Sequence, residues 1–164
     1  MLARSDILPT AHMKPQEQPP ALPKEQLMMV LRTAPDRLEF LTPNDWILII
    51  DKCRRVDLKR NDVLVKQGKR EQTIYVLLQG RLSISVSGSK VAAIGPGEIC
   101  GEMAYLENGL ASATATVEEE GQAYAIDWAV LTDLFELFPH LAYRFYRSLA
   151  VKLSRRLREQ LLSK

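Results

Sequence analysis

The chain has 164 residues, 46% hydrophobic and 26% charged, the balance of an ordinary globular domain with some tail to spare. No apolar run exceeds five residues, as at Trp46–Ile50, whereas a membrane-spanning helix needs about 20, so no span is expected and the N-terminus does not read as a secretory signal. Two cysteines, Cys53 and Cys100, and two histidines form no metal-ligand spacing, which predicts no metal site and a reducing, cytoplasmic setting. The net charge of +2 does not by itself imply a nucleic-acid partner, but it is unevenly placed. Arg144, Arg147, Lys152, Arg155, Arg156, Arg158 and Lys164 face one acid, Glu159, giving the last 21 residues +6 and the rest −4. Such a run is either a solvated helix face or a surface for an acidic partner.

Residues 1–24 contain five of the nine prolines (Pro9, Pro15, Pro19, Pro20 and Pro23) and read as a flexible leader ahead of a domain over 25–164. Lys24–Leu41 offers Leu27, Val30, Leu31, Leu38 and Leu41 at mostly helical spacing, broken by Pro35. Thr42-Pro43-Asn44-Asp45 is a helix start: Thr42 can cap, Pro43 suits the first turn, and Asp45 faces the positive dipole end. Trp46, Ile49, Ile50 and Cys53 then share one face.

After Arg55 the period becomes two. Val63 and Val65 alternate with polar neighbours, Thr73–Gln79 is rich in Tyr, Val and Leu, and Leu82, Ile84 and Val86 alternate with Ser83, Ser85 and Ser87. Ser87-Gly88-Ser89 predicts a tight hairpin into Lys90–Ile94, and strands resume at Ala113–Glu119 and Gln122–Asp127. This pattern predicts a mainly β chain with about eight short strands, closed as a small barrel or sandwich over about 56–127. Helical spacing returns over about 128–162. Val130, Leu131, Leu134, Phe135 and Phe138 form one stripe, and Leu149, Leu153, Leu157 and Leu161 form a seam flanked by arginines.

The segment richest in chemistry runs from Gly95 to Leu106. Gly95 and Gly97 permit a tight turn, and Gly101-Glu102 opens a short helical turn whose backbone N–H groups can face an anion. The Glu102 carboxylate can accept hydrogen bonds from a sugar hydroxyl; a plain glycine-rich turn between strands is the other reading.

These residues carry a resemblance. Leu64–Gly68, Ile74–Gly80, Gly95-Pro96-Gly97-Glu98, Gly101-Glu102-Met103-Ala104 and Ala113–Val117 resemble the cyclic nucleotide-binding domain family of bacterial catabolite activators, cyclic-nucleotide-dependent kinases and gated channels. The resemblance implies an eight-stranded β-roll with helices at both ends, and a ligand cassette made of Gly101, Glu102, Met103, Ala104, Ala113, Thr114 and Ala115. It implies that Glu102 holds a ribose 2′-hydroxyl, and that the N–H groups of Gly101 and Glu102 and the hydroxyl and N–H of Thr114 surround a cyclic phosphate. The family pattern places an arginine just before the small hydroxyl residue, where this chain has Ala113. A buried charge without a partner costs several kcal/mol, and an arginine–phosphate contact supplies about 1.5–3 kcal/mol, so the substitution predicts weak or atypical nucleotide binding. No basic residue lies between Lys90 and Arg144 to replace it in sequence, while Glu107, Glu118, Glu119 and Glu120 add acid; Lys90, Arg81 or the basic C-terminal helix are the remaining sources.

No nucleophile, base and orienting group can be assembled, which predicts a non-catalytic protein with no cofactor beyond a cyclic nucleotide ligand. Cys100 reads as a small buried hydrophobe, and His140, at a helix start, as a surface residue. The leading expectation is a regulatory module acting through a protein partner or a homodimer along the C-terminal helix. The alternative is a cyclic nucleotide or cyclic dinucleotide receptor that meets the phosphate with another cation. A basic-tailed adaptor for nucleic acid or a membrane surface is a third reading. Because the chain ends at Lys164, no DNA-reading helix-turn-helix is expected.

Overall fold

A computed structural model describes residues 22–163, so most of the proline-rich leader lies outside the described residues. Two helices come first, α1 (Lys24–Thr33) and α2 (Pro43–Asp51). Helix α1 stops two residues before Pro35, as expected where proline disfavours the helical conformation of its predecessor. Helix α2 starts in a capping box. Thr42 Oγ1 accepts the Asp45 N–H at 3.2 Å, and Asp45 Oδ2 accepts the Thr42 N–H at 2.9 Å. The helix closes at Asp51, so Cys53 falls beyond its C-cap rather than on its face.

Six strands follow: β1 (Arg54–Leu58), β2 (Val63–Val65), β3 (Thr73–Val86), β4 (Ser89–Ile94), β5 (Ile99–Cys100) and β6 (Thr114–Asp127), with the short helix α3 (Glu102–Glu107) between the last two. They form one antiparallel sheet ordered β1-β6-β3-β4, with β2 on β6 and β5 on β3. The expected count of about eight is not met, and the sheet is not a closed barrel. The predicted runs 73–79 and 81–87 are one strand, β3, and the runs 113–119 and 122–127 are another, β6. Both long strands run on unbroken through a glycine, Gly80 in β3 and Gly121 in β6. Gly80 has φ +97°, and a Cβ there would sit 2.6 Å from the Glu119 carbonyl oxygen of the facing strand, so only glycine permits this crossing. Successive register shifts between Leu77 and Leu82 bend β3 at this point.

The bend gives β3 two burials. Ile74, Val76 and Leu78 face a core shared with Leu27 and Leu31 of α1, Trp46 and Ile49 of α2 and the C-terminal helices. Leu77 and Leu82 point to the other side, into the roll with Val65, Cys100, Ala115 and Val117. A strand buried on both faces has no polar alternation, which explains the near-continuous apolar run. The Ser87–Gly88 hairpin turn forms as predicted, both residues at positive φ, and joins β3 to β4. Beyond Leu82 burial fades: Ile84 is half-buried and Val86 exposed. Val63 is also exposed while Val65 is buried, because a bulge between them breaks the expected alternation.

Helices α4 (Trp128–Leu137) and α5 (Pro139–Leu162) complete the chain. Leu131, Leu134 and Phe135 of α4 and Leu141, Phe145 and Leu149 of α5 are buried, each worth about 1.5–3 kcal/mol of burial. The expected seam is only half used: Leu149 is buried, Leu153 is partly buried, and Leu157 and Leu161 are exposed. Helix α5 is fastened to α2 by Arg144, whose guanidinium donates to both oxygens of buried Asp45 at 2.6 and 2.7 Å. Among the described residues no helix is long and apolar enough to cross a membrane.

Candidate functional site

Strand β5 pairs with β3 at Tyr75 and Val76 and delivers the chain to Gly101. Gly101 caps α3 at φ +94°, and a Cβ there would stand 2.6 Å from the Thr73 carbonyl oxygen. Glycine is therefore obligatory where the chain turns from the sheet into α3. The helix lasts six residues and ends at Asn108, also left-handed. The descending segment is tied down at several points. Ala111 N–H donates to Lys69 O, Gly68 N–H donates to Ala111 O, and Arg70 Nη2 donates to Asn108 Oδ1 at 3.0 Å.

These constraints bring Gly101, Glu102, Met103, Ala104, Ala113, Thr114 and Ala115 onto the wall of one cavity of about 130 Å³. All seven residues singled out from the sequence are thus neighbours, although 12 positions separate Gly101 from Ala113. Ala104 and Ala115 are buried and Met103 is exposed. Thr114 Oγ1 accepts the Gln67 N–H at 3.0 Å, so its hydroxyl serves the β2–β3 loop as well as lining the cavity. Glu102 is 7% exposed and its side chain lines the cavity. A carboxylate on the cavity wall can accept hydrogen bonds from hydroxyl or N–H donors of a ligand.

Three charged residues outside the expected cassette also line the cavity: Glu71, Glu98 and Arg156, the last from the basic C-terminal helix expected as one possible source of a cation. Glu98 belongs to the Gly95–Glu98 turn that leads into β5. Its carboxyl is held above the ordinary value, first by burial and then by the negative charge of Asp36. Arg156 comes from α5, 43 residues after Ala113 in the chain, and no local pattern places it there. Its guanidinium donates to Asp36 Oδ2 at 2.6 Å, and Lys152 Nζ lies 3.8 Å from the same oxygen. Lys90 and Arg81, the other candidate cations, instead meet Glu118 at 3.1 and 3.6 Å and do not line the cavity.

The opposite face of α3 reaches the C-terminal helices. Tyr105 packs edge-on against Trp128 and Phe145, stacks on Tyr146, and shares a hydrogen bond with Thr132 at 3.2 Å. Neither cysteine is poised for chemistry: burial pushes both thiols up to about 12. His140 is exposed at the start of α5.

The cyclic nucleotide-binding domain family model matches residues 55–137. The chain is 30% identical over 123 residues to cyclic GMP-binding protein C of Dictyostelium discoideum, covering 72% of this chain and 5% of that protein. It is 29% identical over 124 residues to the cyclic AMP receptor protein of Thermus thermophilus, covering 73% of this chain and 56% of that one. Among solved structures it is similar to the N-terminal domain of a transcriptional regulator from Streptomyces coelicolor A3(2), with 26% identity and a TM-score of 0.63 over 82% of this chain and 94% of that one. The chain therefore spans from a twentieth to just over half of the length of these two curated relatives. With the matched segment running from β1 through α4 and the antiparallel roll in place, the chain belongs to the cyclic nucleotide-binding domain family.

Proposed function

We propose that this chain is a non-catalytic regulatory module in which the cassette cavity is the ligand site and ordinary cyclic nucleotides bind weakly. The observation that carries the reading is the wall of the cavity. It keeps a buried acceptor, Glu102, but has Ala113 where the resemblance implies an arginine. A cyclic phosphate brought to that wall would be desolvated beside a methyl group rather than a guanidinium. The reading as a binding module is supported by Cys100, the cysteine on the cavity wall, whose thiol is pushed up to about 12 by burial and is not an activated nucleophile. Calorimetry of the chain with cyclic AMP, cyclic GMP and cyclic di-GMP tests it: dissociation constants weaker than about 100 µM agree with the reading, and micromolar binding removes it.

The output of the module passes through protein contacts of α5. Leu157, Leu161 and Leu162 are 58%, 65% and 79% exposed along one end of this helix, beside Arg155 and Arg158. Pairing of this end with a second copy or with a partner protein would cover them. Light scattering of the intact chain and of a Leu157→Lys/Leu161→Lys variant measures the first route: a mass that halves in the variant supports the dimer, and a monomeric parent removes it.

A second reading is favoured by Arg156. It stands on the cavity wall and would meet a phosphate if released from Asp36. Under that reading the chain is a cyclic nucleotide receptor with a displaced cation, and Arg156→Gln abolishes binding.

A further inference from the structure

The cavity wall does not fit the anion that the fold implies. Its charged lining groups are Glu71, Glu98, Glu102 and Arg156, three carboxylates against one guanidinium. That guanidinium is already engaged, 2.6 Å from Asp36 Oδ2, and Lys152 Nζ stands 3.8 Å from the same carboxylate oxygen. Releasing Arg156 toward a ligand phosphate would cost it a charge-assisted hydrogen bond, so the exchange gains little. Most of the remaining wall is small and apolar, with Ala92, Ala93, Ala111, Ala113 and Ala115, and the hydroxyls of Ser112 and Thr114 are its neutral donors, so no second cation faces the cavity.

A carboxylate accepts hydrogen bonds on two oxygens, and that of Glu102 lines the cavity from a residue only 7% exposed. The groups that satisfy it are hydroxyls or an amine on the ligand. Resting on the reading of the cassette cavity as a ligand site, we infer that the cavity selects an uncharged or amine-bearing vicinal diol, of the nucleoside class, over the corresponding cyclic nucleotide. The diol donates to Glu102, the apolar body lies against the alanine walls, and the absence of a phosphate leaves nothing to be neutralised. An amine in place of the phosphate gains from the same excess of carboxylates.

Calorimetry on the full chain tests this with adenosine, 5′-amino-5′-deoxyadenosine and cyclic AMP, and with guanosine and cyclic GMP. The expected order is amine tightest, nucleoside next, and cyclic nucleotide at least tenfold weaker than the nucleoside. Glu102→Gln loses nucleoside binding by tenfold or more with an unchanged circular dichroism spectrum, and Ala113→Arg reverses the order in favour of the cyclic nucleotide. Tighter binding of a cyclic nucleotide than of its nucleoside by the parent chain overturns the inference, and so does silence of the parent toward all five compounds at millimolar concentration. The two levels fail separately. If Ala113→Arg, folded by circular dichroism, gains cyclic nucleotide binding while the parent ignores nucleosides, the site stands and the ligand class falls. If the folded variant gains nothing, the assignment of the cassette itself falls.

Discussion

The rings of Tyr105 and Tyr146 lie nearly parallel, 7° apart in plane with centroids 6.4 Å apart, and the Tyr146 hydroxyl donates to that of Tyr105 at 3.3 Å. One ring belongs to α3, whose other face lines the cavity, and the other to α5, whose far end is exposed. The pair is thus a direct mechanical contact between the candidate ligand site and the candidate output helix. Tyr105→Ala is expected to cost about 2–4 kcal/mol in urea denaturation, since it empties a space shared with Trp128, Phe145 and Tyr146. Tyr105→Phe keeps the ring and should cost about 1 kcal/mol or less. Burial, and then the hydrogen bond to Tyr105, raise the Tyr146 phenol well above its ordinary value. The Phe variant should therefore bring part of the phenolate absorbance rise to lower pH.

The Asp45–Arg144 pair predicts a pH dependence of stability. Burial pushes the Asp45 carboxyl up, but the hydrogen bonds from Arg144 and Thr42 outweigh it and hold the group below its ordinary value. The carboxylate therefore contributes stability that is complete above the unfolded value, about 4, and is lost as pH falls through the lowered folded value. Asp45→Asn should lower stability by about 2–4 kcal/mol at pH 7, with the difference from the parent shrinking below pH ~4. Denaturation curves between pH 7 and 3 measure this; a difference independent of pH would refute the ionic account.

At Gly101 the backbone predicts a contrast between neighbouring glycines. Gly101→Ala combines a left-handed conformation with a Cβ 2.6 Å from the Thr73 carbonyl oxygen, and should destabilise by about 2 kcal/mol or more. Gly109→Ala, which lacks positive φ and meets its nearest atom at 3.9 Å, should change stability by less than about 1 kcal/mol in either direction. Equal effects at both positions would show that α3 is not entered as described.

The thiols predict slow chemistry. Cys100 is 6% exposed and Cys53 half-buried, and both are pushed up to about 12, chiefly by burial. An aromatic disulfide reagent at pH 8 should therefore label the native chain far more slowly than the urea-unfolded chain. Labelling of either cysteine at the unfolded rate would contradict this burial.

Much of this molecule was legible one residue at a time. The capping box at Thr42–Asp45, the Ser87–Gly88 hairpin and the obligatory glycine before Glu102 are local devices, set by a few neighbouring side chains and backbone angles. The grouping of Gly101–Ala104 with Ala113–Ala115 was legible only through resemblance, because periodicity does not reveal that a chain doubles back across 12 residues.

What the sequence alone determined is therefore the period of each segment, its turns and its caps. Whether two runs make one strand or two was decided by the facing chain, since Gly80 is crossed by the carbonyls of Glu119 and Glu120 and the strand bends there instead of ending. The charge on the cavity wall was likewise decided by tertiary structure. Arg156 and Glu98 reach it from elements far apart in sequence, and Asp36 claims the arginine from a third. Local geometry acts through bonded neighbours and is written in order along the chain, whereas electrostatics acts through space and exists only once the helices have closed over the sheet.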